Sequence, residues 1–261
     1  MIGGNPALNE NTFDQPYDYD APDRGSVMTV QSTAIKAAGL VGLTVVAAVF
    51  SWSVSTAGGT FNGAAAMPWM LGGLVVGLIL ALITIFKPKA APFTAPLYAL
   101  AEGLFLGAVS AFYEASYGSA NGQPTAFSGL VVQAVGLTLS VLALMLTLYV
   151  TRIIRVTPKL AAGIIAATGA VLLFYIASFV LSFFGIAMPY LHSSGPIGIG
   201  ISVVIVGIAA FNLLLDFDLI ERGAQQGAPK YMEWYAGFAL LVTLVWLYLE
   251  ILRLLAKLRS R

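Results

Sequence analysis

The chain has 261 residues, a net charge of +1, 59% hydrophobic and 10% charged residues, and a mean hydropathy of +0.88. A soluble domain carries about 25% charged residues, so this chain lacks the charge to cover a water-facing surface, and no basic stripe with interleaved aromatics points to nucleic acid. It has no Cys and one His, His192, which excludes disulfides, thiol chemistry, Cys-ligated metals and His-rich metal sites.

Residues 1–32 are polar and hold five of the twelve acids. They lack the basic start and short apolar core of a signal peptide. They read as a disordered tail on the cytoplasmic, non-translocated side. Within it, Tyr17-Asp18-Tyr19-Asp20 is either a docking motif or plain solvated chain.

Residues 33–261 read as an all-α integral membrane domain. Seven apolar stretches follow one another at about 34–55, 67–86, 92–114, 127–151, 160–187, 197–220 and 234–256, each near the roughly 20 residues that span a bilayer. They are continuously apolar rather than alternating, which selects helices over a barrel. Gly58-Gly59, Asn121-Gly122, Pro158, Pro189, Gly195-Pro196 and Gly227 punctuate them. Trp52, Trp69, Trp234 and Trp246 fall towards span ends, as interface anchors do.

Basic residues alternate between the connections. Lys87 and Lys89, then Arg152, Arg155 and Lys159, then Arg222 and Lys230 occupy every second one, while 56–66, 115–126 and 188–196 contain no Lys or Arg. This places the N-terminus in the cytoplasm. Arg253, Lys257, Arg259 and Arg261 at the C-terminus fit badly, because seven crossings put that end outside. Either the last helix is re-entrant or its packing overrides the charge rule, and seven crossings is the expectation. No Asn-x-Ser/Thr sequon is present, which suits a bacterial inner (plasma) membrane.

Ionisable groups inside the spans mark candidate sites. Glu102 lies roughly 15 Å from the inner end of the third span, in Ala101-Glu102-Gly103-Leu-Phe-Leu-Gly107. Its two readings are a neutral packing residue and a proton or cation site. In Asn212-Leu-Leu-Leu-Asp216-Phe217-Asp218-Leu-Ile-Glu221 the two aspartates end a long apolar run. On a helix they point about 200° apart. Asn212, one turn before Asp216 on the same face, selects Asp216 as the inward member. Asp218 is left to the interface or to Arg222, and Asp218 and Glu221 read as solvated rim residues. Glu250 has Arg253 three residues on, which reads as a rim ion pair near the outer end of the last span. Gln133, Thr138, Ser178 and Ser202 are weaker signals. The glycines from Gly195 to Gly200 follow no strand and read as a helix start, and His192 reads as a solvated loop residue.

No triad, P-loop, nucleophile elbow or His pair is present, so an enzyme is not expected. No cofactor or metal is expected either. Two classes remain: a channel or transporter using buried carboxylates, and a membrane regulator acting by protein contacts.

Phe86-Lys-Pro-Lys with Ala91-Pro, Glu102-Gly103-Leu-Phe-Leu-Gly107-Ala108, the segment from Asn212 to Glu221, and Ala228-Pro-Lys-Tyr-Met-Glu-Trp234 through Trp246-Leu-Tyr-Leu-Glu250-Ile-Leu-Arg253 together carry a resemblance. Over roughly residues 28–258 the chain resembles the transmembrane Bax inhibitor-motif family, in particular its bacterial YccA-like branch. The resemblance implies six helices around the seventh and a pH-sensitive Ca²⁺ leak. It also implies stress-response roles, and in the bacterial branch modulation of a membrane-bound ATP-dependent protease. In the implied leak mechanism an aspartate of helix six pairs with one of helix seven. Asp216 matches the first position. The second falls on Glu250 in one register and on Thr243 in another, and Glu102 is a further candidate for the second carboxylate. The expected proton or ion switch is therefore Asp216 with Glu102, Glu250 or Asp218, supported by Asn212, Thr243 and Arg253.

Overall fold

The computed structural model describes residues 27–118, 129–185 and 194–260. The tail over residues 1–26, His192 and Arg261 lie outside the described residues. Among the described residues the chain forms seven long helices: α1 Val30–Ser55, α2 Gly63–Phe86, α3 Ala91–Tyr117, α4 Leu130–Val150, α5 Pro158–Phe183, α6 Pro196–Gln225 and α7 Met232–Arg259. All seven are long and apolar enough to cross a membrane. A 3₁₀ turn over Pro88–Ala90 leads into α3.

Local chemistry sets the helix ends. Thr29 caps α1 by accepting from Ser32 N at 3.1 Å, and Asn62 caps α2 by accepting from Ala64 N and Ala65 N. Thr157 caps α5 from Leu160 N, with Pro158 in its first turn. Such caps satisfy amides that the helix itself leaves open. Inside the helices hydroxyls bond back to carbonyls four residues earlier, as Thr44 does to Leu40, Thr138 to Ala134 and Thr168 to Ile164. Polar side chains are thereby carried within apolar spans.

α7 packs against α1, α3, α4 and α6, and α5 reaches it through Tyr175. α2 lies against α1 and α3. Leu213, Leu214, Phe238, Leu247 and Leu252 are fully buried where these helices meet. Val46, Leu74, Ile79, Leu173 and Phe179 are exposed on the outside, the pattern expected of a lipid-facing surface. The chain approaching α1 is pinned to the α6–α7 connection, where Met28 N donates to Ala228 O at 2.7 Å.

One feature differs from the sequence expectation, and another decides between two readings of the last helix. α6 runs to Gln225, five residues past the expected end. The aspartates therefore stand within a helix rather than at its end, and Asp216 is fully buried. α7 is one continuous helix of 28 residues, not a re-entrant hairpin. Its terminal bases turn back onto the bundle, which accounts for their conflict with the charge rule. Lys257 donates to Gly198 O and Ser202 Oγ at the start of α6, and Arg259 to the α3 terminus at Gly118 O.

α1 and α3 touch backbone to backbone through two glycines. A Cβ at Gly103 would come within 2.3 Å of Thr44 O, and one at Gly107 within 2.0 Å of Ala48 O. No side chain can give way there, because the obstacle is the neighbouring main chain. Gly103→Ala and Gly107→Ala are expected to destabilise the bundle by about 1–3 kcal/mol each, seen as a lower unfolding temperature in detergent. Gly136→Ala, where an added Cβ meets nothing within 4 Å, is expected to leave that temperature unchanged or to raise it.

Candidate functional site

The ionisable groups of the bundle fall into three levels. At the end where α1 begins, Glu233 of α7 accepts from Thr29 N at 3.0 Å and Ser32 Oγ at 2.9 Å, and pairs with Lys36. Glu233 thus caps α1 from another helix, serving the role a third-position Glu has in a capping box. Trp234 lies under the Lys36 ammonium, 5.4 Å from it. On α6, Asp218 pairs with Arg222 at 2.6 Å. Glu221 takes the Tyr149 hydroxyl, Arg152 at 3.0 Å and Gln225 at 3.2 Å. Asp218 and Glu221 are therefore not simply solvated. The longer α6 brings them against the end of α4, where Tyr149 and, just beyond the helix, Arg152 claim Glu221.

The middle level holds Asp216. It is nine residues before the end of α6, and Thr243 is eleven residues into α7. At 1.5 Å per residue the two stand about 14 and 17 Å from the same end of the bundle. Asn212, one turn earlier, donates to Thr168 Oγ1 of α5 and to Ile208 O, both at 2.8 Å. Its amide thus fixes the α5–α6 contact beside Asp216. Thr243 is buried and donates to Ala239 O at 3.4 Å.

Glu102 lies at a similar depth, eleven residues into α3. Its carboxylate occupies the α2–α3 seam, where a Cβ at Gly77 would come within 3.2 Å of Oε2. Tyr98, one turn earlier on α3, is the polar neighbour of that carboxylate.

The third level lies seven residues beyond Thr243, about 10 Å farther along α7. The expected pair of Glu250 and Arg253 is present at 3.1 Å. It is no rim pair, because Glu250 is buried. Tyr175 of α5 donates to Glu250 Oε1 at 2.7 Å, Trp246 Nε1 donates to the same oxygen, and Arg253 also reaches Tyr175. Trp246 is thereby engaged inside the bundle rather than anchoring its edge.

The level of Asp216 thus brings Asn212 and Thr243 near in depth, while Glu250 with Arg253 stands one level away and Asp218 is turned to Arg222. Glu114, Glu233 and Tyr175 were given no role by the sequence reading, and Lys257 entered it only as one of the C-terminal bases. Glu114 is almost fully buried and accepts from Val131 N, an amide in the first turn of α4. A carboxylate in the last turn of its own helix is unfavourable there and favourable at another helix's N-terminus. That misplacement was the available signal.

Removing one member of a buried ion pair strands the other. Arg253 is 32% exposed at its side chain, so water recovers part of that loss. Glu250→Leu is expected to destabilise the protein by about 1–3 kcal/mol, below the ~3–5 kcal/mol of a fully dry pair. The double variant Glu250→Leu, Arg253→Leu is expected to regain much of it. Chemical or thermal unfolding of the three proteins in one detergent measures both.

The family described as Bax inhibitor 1 like matches residues 5–260. The match starts well before residue 28, so it includes most of the polar tail. No curated protein and no solved structure matches the chain. With nearly the whole length matched, and seven apolar helices packed about buried carboxylates, the chain belongs to the Bax inhibitor 1 like family.

Proposed function

We propose that this protein is a pH-sensitive cation leak, for Ca²⁺ above all, controlled by the charge state of Asp216. The observation that supports this reading is the complete burial of Asp216 in mid-bundle, between Asn212 of its own helix and the level of Thr243. An ionised carboxylate requires water, a cation or a cationic side chain, and burying one costs several kcal/mol. A neutral carboxyl requires only hydrogen bonds. In this reading the closed bundle holds protonated Asp216, and its ionisation favours an arrangement that admits water and a cation. No carboxylate from α7 is needed for this switch, since Thr243 stands at the level of Asp216 and Glu250 is engaged by Arg253 and Tyr175.

The same reading sets the protein in an inner (plasma) membrane with its N-terminus in the cytoplasm. Lys36, Lys87, Lys89, Arg152, Lys159 and Arg222 all fall at the end where α1 begins, the bias that retains an end on the cytoplasmic side. In liposomes loaded with a Ca²⁺ indicator, flux is expected to rise with pH. Asp216→Asn, fixed in the neutral form, is expected to hold the low-pH rate throughout. Vesicles that stay impermeable at every pH would overturn the leak.

One observation favours a second reading, a regulator acting by contacts with another membrane complex such as an ATP-dependent protease. The family match begins at residue 5 and so takes in the acidic tail. Because Met28 is bonded to Ala228, deletion must stop before it. Removing residues 1–26 is expected to abolish co-purification of a protease partner while leaving the unfolding temperature unchanged. Equal recovery with and without the tail would count against this role.

A further inference from the structure

Glu102 is a buried carboxyl that the Asp216 switch leaves unused. It stands near the middle of α3, nine-tenths buried, with its carboxylate in the seam against α2. The seam is tight because α2 presents glycines to it. A Cβ at Gly73 would come within 2.7 Å of Ala101 O, and one at Gly77 within 3.2 Å of Glu102 Oε2. α2 rests on α1 and α3, and its outer face exposes Leu74, Val75, Leu78 and Ile79. One helix, α2, therefore stands between the carboxyl and the exposed outer surface, and its side against α3 carries glycines.

The charged and titratable groups around it can be named helix by helix. α2 has no ionisable residue anywhere along it. The face of α1 against α3 offers Thr44, Ala47 and Ala48, and its one ionisable residue, Lys36, is paired with Glu233. α7 presents Phe238, whose ring meets Tyr98 edge-on at 4.8 Å. The other ionisable side chains of α7 near α3 include Tyr235, packed on Phe238, Tyr248, bonded to Ser110, Glu250 and Arg253, paired with each other, and Arg259, bonded to the end of α3. On α4 the one ionisable residue is Tyr149, at its far end on Glu221. Lys89 stands in the turn before α3, thirteen residues from Glu102. On α3 itself Tyr98 is the near neighbour of the carboxylate, and Tyr113, Glu114, which caps α4, and Tyr117 are about three to four turns on.

A carboxyl among apolar walls with one hydroxyl for company is stable as the neutral acid and costly as the anion. We propose that Glu102 is a second protonatable site of this protein, distinct from Asp216, which is reached from the lipid through the α2–α3 seam and takes lipid-soluble carboxyl reagents there. It does not depend on the leak, since the site is defined by its proton and its access route.

The probe is dicyclohexylcarbodiimide, with a water-soluble carbodiimide as its counterpart. The neutral acid adds across the reagent. Its proton goes to one nitrogen and its oxygen to the central carbon, and an acyl shift to nitrogen gives a stable acylurea. No group leaves and no oxidant is consumed. Wild-type protein in liposomes is expected to gain one adduct on the peptide containing Glu102. Labelling should fall as pH rises, be absent in Glu102→Gln, and be absent with the water-soluble reagent. Asp216→Asn is expected to label like the wild type, which separates this site from the leak switch. An unlabelled Glu102 at every pH, or equal labelling by both reagents, would overturn the proposal. Peptide mapping on the wild type alone decides it should Glu102→Gln fail to fold.

Discussion

Lipid cannot solvate a charge, so every ionised side chain carried into the bundle must find its partner there. α7 shows how this fold meets that constraint. Glu233 binds the first turn of α1, Glu250 receives Tyr175 of α5, Lys257 bonds to the start of α6, and Arg259 reaches the end of α3 and Gln133 of α4. Together these charges tie the last helix to α1, α3, α4, α5 and α6. The polar contacts that neutralise these charges also hold the helices in place. A hydrophobic driving force between helices is missing in a bilayer, and these ties together with close packing take its place.

The glycines of α3 and α2 supply the packing half. Gly103 and Gly107 let α1 approach the α3 backbone, and Gly73 and Gly77 let α2 approach its other side. α3 is thereby enclosed on two faces without bulky side chains between the main chains. Where the backbones come closest, the space beside them is small. Glu102 stands in such a space with a tyrosine rather than a cation, and Asp216 is enclosed on α6 at a similar depth. Ion pairs stand at the end where α1 begins and, deeper in the bundle, at Glu250 and Arg253 of α7.

The membrane class, the seven helices and their order were legible in the sequence, because a span needs about 20 apolar residues and little else. The inward face of Asp216 was legible as well, since Asn212 one turn away marks the same stripe. So was the pair of Glu250 and Arg253, which are three apart on one helix. Each of these depends on spacing along a single helix, and helical geometry fixes that in advance.

What joins residues far apart in the chain was decided only by the tertiary structure. The C-terminal bases looked like a topological conflict until α6 and α3 offered them carbonyls and a hydroxyl. Glu114 and Glu233 act as caps for helices other than their own, and Glu250 is buried because Tyr175 comes from α5 to meet it. Glu102 turns to α2 because glycines there leave room for it. The sequence determined which residues could not face lipid uncompensated. It could not determine which partners they found, because that depends on how seven similar apolar rods rotate and pack. Their few polar atoms and small residues settle that choice only once the helices are together.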